Sequence, residues 1–403
     1  MENKTETTGH LVWSEPLLPG LSTARKKYKE FLDRCRTDAT TFRLTPCAEP
    51  TAYARCFGIF GLNLLQDRET LEAERQALGR ALADSIRAMR QRAVGELGGK
   101  PYRQLLAFTL SALAALGMLA EDPLAELVRE QLPANIGDAM KQHGVLEGRP
   151  QSGNQAMFLA IFLLHARMYL QRSSAGELQT WIDLHLSHMN RNGFWGHGAG
   201  VRHLAFQNGY HQYEIFEYLG VDNPRSRESA ELVRSLADRG GHFAPYPGGG
   251  GCYDYDAVFV LTATGVMPTI EIRSLLLQTA STLLSEQRPD GGFAESLYVR
   301  PRSGGNLIRF IGHVTSAAGR PSLFLERARY AAALQRRRHN RIHTHWSNYS
   351  RRWDESNLWD SWFRMMTLAR IEVALDPSAV DRWGFINYPG IGFHRLVPRD
   401  SPA

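Results

Sequence analysis

The sequence predicts an all-α protein, an α/α toroid of six or seven helical hairpins, and three observations point there. Apolar stretches with helical spacing recur about every fifty residues, amphipathic stretches separate them, and nothing in between reads as a sustained strand. The nearly all-apolar set covers 51–65, 101–119, 152–170, 209–220, 252–265, 306–319 and 357–375. Helices of that kind must be packed on both sides. The amphipathic set covers 23–35, 69–94, 122–142, 175–190, 225–239, 269–286 and 321–339. In 69–94 an apolar residue returns every three to four positions amid charge, as in a helix with one buried stripe.

Alternating outer and inner helices can stack into an open solenoid or close into a ring. An open solenoid needs polar end caps. Here the last inner stretch runs into WGFINYPGIGFH (383–394), an aromatic and glycine-rich tail suited to plugging or crossing a ring. Residues 1–20 are expected to form a polar N-terminal segment, and 21–403 a single toroid domain with that tail.

At 403 residues, with 43% hydrophobic and 22% charged side chains, the chain has the make-up of a globular protein and excludes wholesale disorder. The formal charge of +6 is too mild to argue for nucleic acid. The longest apolar run, near 158–170, is broken by His165 and Arg167 short of a bilayer's thickness, so no integral membrane segment is expected. Cys35, Cys47, Cys56 and Cys252 match neither metal knuckles nor a disulfide framework. With no leader-like N-terminus, the expectation is a soluble, cytoplasmic protein with reduced thiols and no cofactor.

Four loops carry an aromatic after a turn: NGFWG (192–196), GGHFAPYP (240–247), DGGFAES (290–296) and HTHWSNY (343–349). Phe194, Phe243, Phe293 and Trp346 stand 49, 50 and 53 residues apart. Gln287, Asp290, Gly291, Gly292 and Phe293 resemble the repeat of squalene/hopene cyclases and protein prenyltransferase β-subunits, in which an outer helix ends in Gln and a DGG-aromatic turn follows. The resemblance covers mainly residues 150–375 and implies the toroid fold, with an isoprenoid-like substrate in a central cavity.

In such a ring the N-terminal ends of the inner helices face one another across the cavity. The polar residues at that phase are Asn208, Tyr210, His211 and Glu214; Cys252, Tyr253, Asp254 and Asp256; Asn306, Arg309 and His313; and Asn357, Asp360 and Arg364. Tyr53, Arg55, Tyr102, Arg103, Asn154 and Gln155 join them from the first half. The densest segment is PGGGGCYDYDAVFVL (247–261), whose glycine run predicts either a mobile or a tightly approached rim. Two carboxylates two residues apart beside an apolar cavity can raise one pKa, leaving a neutral acid able to protonate an alkene. The bland alternative is that Asp254 caps a helix and Asp256 pairs in its first turn.

Asp254-Tyr255-Asp256-Ala257 resembles the DxDD motif of class II terpene cyclases, which implies Asp256 as proton donor and Asp254 as its neighbour. Gly251-Cys252-Tyr253 matches part of the zinc motif of protein prenyltransferases, but Gly250 and Asp360 stand where Asp and His ligands belong, so no metal is expected. A second function class stays open. Asn208, Tyr210 and His211 could serve a carbohydrate-active lyase or hydrolase on the same scaffold, with Trp195, Tyr246 and Trp346 stacking on a glycan. A third is a non-catalytic toroid that binds a peptide or protein partner. The sequence leaves the oligomeric state open.

Overall fold

Outer and inner helices alternate along the chain, and the inner ones close on themselves. A computed structural model describes residues 18–92, 99–150, 152–196, 202–299, 304–337 and 340–394. The pairs are α1 (Leu21–Cys35) with α2 (Ala52–Leu64), α3 (Arg68–Arg92) with α4 (Lys100–Ala115), and the short α5 (Ala125–Arg129) and α6 (Ile136–His143) with α7 (Ser152–Tyr169). Then come α8 (Ala175–His188) with α9 (Arg202–Leu219), α10 (Ser226–Leu236) with α11 (Gly251–Leu261), and α12 (Ile270–Glu286) with α15 (Leu358–Leu375). Among the described residues α2, α4, α7, α9, α11 and α15 each pack on the next, and α15 packs back on α2. The fold is the expected α/α toroid.

The division of labour follows from side-chain pattern. Every residue from Tyr253 to Leu261 in α11, and from Leu358 to Val373 in α15, is buried. The outer α10 buries one stripe, with Ala230, Val233 and Leu236 on it. Trp362 of α15 sits fully buried against Phe57, Phe60 and Phe363. Truncating such a side chain to alanine costs about 3–5 kcal/mol.

One turn is built three times. The backbone N–H of Asn190, Asp238 and Arg288 donates to the carbonyl four residues on, in Phe194, His242 and Gly292, at 2.8, 2.8 and 2.9 Å. Each turn needs a left-handed residue, and Gly193, Gly241 and Gly291 supply φ of 81°, 81° and 80°. In the third copy Gln287 Nε2 donates to the carbonyls of Ala24 and Gly291 at 2.9 and 2.8 Å, and the Phe293 N–H donates to Ser361 Oγ at 2.8 Å. That copy therefore ties the last helix pair to the first.

Three expectations are corrected. Segment 122–142 is two short helices, because the residue before Pro133 is disfavoured in helix and Asn135 then starts α6 by accepting from the Asp138 N–H at 3.0 Å. Segment 306–319 forms α13 (Gly304–Thr315), which leaves the ring and packs on α14 (Pro321–Gln335). It has helical apolar spacing but no partner on its outer side. The HTHWSNY loop is not a fourth copy of the turn: it belongs to a hairpin of strands Arg341–Thr344 and Ser347–Arg352. A short strand pair, Phe293–Ala294 with Ser356–Asn357, brackets this insertion between α12 and α15.

Residues 383–393 cross the ring at the C-terminal ends of the inner helices. The Gly384 N–H donates to Leu64 O at 3.1 Å, His165 Nδ1 meets Tyr388 Oη at 2.9 Å, and Arg370 Nη1 donates to Phe393 O at 3.0 Å.

Candidate active site

The N-terminal halves of the inner helices surround a cavity of about 210 Å³. Its apolar wall comes from Phe108 of α4, Met157 of α7, Trp359 and Phe363 of α15 and Trp346 of the hairpin, with Ile391 of the tail as its floor. Trp346 stacks on Trp359 with ring centroids 3.7 Å apart and planes 21° apart. Gln104 holds that stack from below, its Oε1 accepting from Trp346 Nε1 at 3.2 Å and lying 2.7 Å from His345 Nε2.

Set into this wall are Lys100, Asn154, Asn208, Tyr210, His211, Cys252 and Asp256. Asp256 is buried, and its Oδ1 has no hydrogen-bond partner. Burial first, then the nearby Glu214, push its pKa well above the ordinary carboxylate value, and the Tyr210 hydrogen bond opposes them. Tyr210 keeps its proton, because burial and then Asp256 raise its own pKa. Glu214, one turn further along α9, is fully buried; burial lifts it to about 8 despite the Tyr255 hydroxyl donating at 3.2 Å. Burial thus favours the protonated, neutral form of both carboxyls.

Asp254 lies two residues from Asp256, about 200° away round the helix, and faces the other side. Its Oδ1 accepts from the Phe243 N–H at 3.1 Å and its Oδ2 lies 2.9 Å from His242 Nδ1. His242 Nε2 in turn lies 3.1 Å from Glu286, which also receives Arg364 at 3.1 Å. Burial works against a charged His242, but Asp254 and Glu286 outweigh it and raise its pKa to about 10. The buried glycine run is a close-packed seam, with Arg364 Nη2 donating to the carbonyls of Gly248 and Gly249 at 3.0 and 3.3 Å. The tightly approached alternative is the one observed.

His211 is neutral: burial, then Lys100, push its pKa well below 6.5. Its Nε2 is taken by the Asn154 amide, which leaves the ring proton on Nδ1. Asn208 donates to the carbonyls of Gly148 and Arg149 at 3.3 and 2.9 Å. Burial, then Asp256, keep Cys252 a thiol.

The ring thus brings together Asp256, Tyr210, His211, Asn154, Asn208, Cys252 and Trp346, and places the other candidates elsewhere. Tyr253 lines a different chamber, between α9 and α14. Asn357 caps α15, accepting from the Asp360 N–H at 3.0 Å and donating to Asp360 Oδ2 at 2.6 Å. Asp360 also receives the Gly251 N–H at 3.2 Å and Arg351 at 3.4 Å, so its oxygens are filled by donors and do not suit a metal. Among the described residues no three His, Cys, Asp or Glu side chains are grouped to hold one. Trp195 is buried against His185, donating to its carbonyl at 2.7 Å. Tyr246 hydrogen-bonds Glu295 beside Trp353. Arg309 is exposed on α13 with its guanidinium over Tyr298, and the Asn306 side chain lies outside the described residues. Lys100 and Gln104 were not singled out in the sequence; their only signal is their place at the start of an inner helix.

A family model described as the prenyltransferase alpha-alpha toroid domain matches residues 23–157 and 149–307. No curated protein matches the sequence. Solved structures similar to the chain include three variants of the type II terpene cyclase MstE from Scytonema. One, without ligand, is 14% identical with a TM-score of 0.49; a second, in complex with geranylgeranyl dihydroxybenzoate as substrate, is 14% identical with a TM-score of 0.48. A third, with the same substrate, is 15% identical with a TM-score of 0.49, and each comparison covers 89% of this chain and 98% of the other.

Proposed function

Given that the chain belongs to the prenyltransferase α/α-toroid domain family, we propose that its cavity performs acid-initiated cyclisation or isomerisation of an isoprenoid or similar apolar substrate. The observation that carries this reading is Asp256, a buried carboxylic acid with one oxygen open among aromatic faces.

In this reading the Asp256 O–H adds its proton to a substrate C=C bond, and the alkene's electron pair forms the new C–H bond. A tertiary carbocation and the Asp256 carboxylate result. Tyr210, hydrogen-bonded to that carboxyl, stabilises the anion as it forms. The faces of Trp346, Trp359, Phe108 and Phe363 stabilise the cation through their quadrupoles, while the dry wall keeps water from trapping it. A second C=C bond attacks, or the skeleton rearranges, and loss of a proton to water at the cavity mouth restores an alkene, while a proton from solvent returns to the Asp256 carboxylate. The product is an isomer of the substrate, and no cofactor enters.

The lyase alternative asks His211 to abstract a proton, yet its acceptor nitrogen already holds the Asn154 amide. Two of its three stacking residues, Trp195 and Tyr246, are absent from the cavity wall. The test is incubation with uncharged isoprenoids of graded length, followed by mass spectrometry. An isomeric product that gains one deuterium in D2O, and is lost in Asp256→Asn, supports the reading. Turnover that persists in Asp256→Asn overturns it.

A further inference from the structure

Residues 296–355, the insertion between α12 and α15, hold twelve arginines against three acids. The whole chain has an excess of only +6, so the remainder is net acidic. On this same insertion four large aliphatic side chains face water: Leu307, Ile308 and Ile311 of α13 are 53%, 73% and 53% exposed, and Leu325 of α14 is 54% exposed. Exposed Arg309 and Arg329 share the two helices with them, and exposed Arg336 and Arg337 follow directly after α14. Leu325 also lines, with Leu204, Pro245, Tyr253 and Ala333, a chamber of about 550 Å³ between α9 and α14. Gln207 belongs both to that chamber and to the wall of the acid cavity.

We propose that the α13–α14 hairpin docks this protein on an anionic lipid bilayer, with its aliphatic side chains among the acyl chains and its arginines at the headgroup phosphates. The combination selects the partner. A nucleic acid would engage the arginines and leave the aliphatic side chains in water. A second copy of the chain would bring a second set of arginines against the first. An amphipathic helix with basic flanks on an anionic membrane satisfies both. No described helix is long and apolar enough to cross a membrane, so the docking is peripheral. The larger chamber then opens where the hairpin meets the bilayer and leads an apolar molecule inward past Gln207.

The test is co-sedimentation of the full chain with phosphatidylcholine vesicles containing about one third phosphatidylglycerol, against pure phosphatidylcholine, across a salt series. The protein is expected to pellet with the anionic vesicles at low salt. The double change Ile308→Glu and Ile311→Glu, at exposed positions, is expected to lower partitioning by about tenfold or more with an unchanged melting temperature. Arg336→Gln with Arg337→Gln is expected to weaken binding to anionic vesicles and flatten its salt dependence. Failure to pellet with anionic vesicles overturns the proposal. So does wild-type partitioning of the double glutamate variant, which would leave charge alone at work. A dimer that dissociates in that variant would instead assign the patch to a contact between copies. None of these readings uses turnover, so they stand apart from the proposed reaction.

Discussion

Asp254 and Asp256 share a helix, a side chain and near-complete burial, yet their surroundings make them opposites. Asp254 sits among donors: His242, whose pKa is raised, a backbone N–H, and Arg364 at 3.8 Å. Asp256 faces aromatic rings and lies near a second buried carboxyl, Glu214, with one oxygen unbonded and its pKa pushed up. Two residues of helix separate a structural ion pair from a candidate proton donor. What a carboxyl does here is decided by which face of α11 it leaves.

Four measurements break or sharpen that contrast. Asp256→Asn is expected to lower turnover by about 10²–10⁴-fold, while calorimetry shows a melting temperature unchanged or slightly raised, since the amide has no ionisation to suppress. Asp254→Asn should do the reverse. It leaves His242 and Arg364 short of a counter-charge, and chemical denaturation should show a loss of about 3–5 kcal/mol. Equal stability of the two variants would erase the distinction.

The pH dependence of unfolding separates them again. His242 has a folded pKa raised to about 10 from 6.5. Its stabilisation is therefore complete below pH 6.5 and lost as pH rises through about 10. The melting temperature of the wild type should fall across that window, and much less in Asp254→Asn. The smallest effect belongs to Tyr210→Phe, which removes the donor to the Asp256 carboxyl. Turnover should drop about 10- to 100-fold, and the pH above which activity fades should move upward, because Tyr210 holds that pKa down.

Helix periodicity made most of this fold legible from sequence, and the fifty-residue spacing of Phe194, Phe243 and Phe293 reports a turn the coordinates repeat bond for bond. The sequence misleads at 306–319, since apolar spacing tells that a helix has faces to cover but not whether anything covers them. Trp346 likewise resembles one more repeat turn, although its distance from Phe293 only coincides with the period. In the cavity, Asp256, Tyr210 and His211 are visible because they fall at the start of the apolar stretches 252–265 and 209–220. Asp254 was misjudged as sharing Asp256's surroundings, because an i, i+2 pair looks close in sequence and diverges on a helix. Lys100 and Gln104 carried too little local signal to be found.

The base of the acid cavity is not a helix at all. Ile391 sits in an irregular strap between Gly390 and Gly392, hung from Leu64, His165 and Arg370 by a few hydrogen bonds. Depth, and with it the length of molecule that fits upright, can consequently drift by exchanging one strap residue. Such a change leaves Asp256, the tryptophan pair and the six interlocked helices where they are, so under the proposed reaction new product profiles are reachable in single steps.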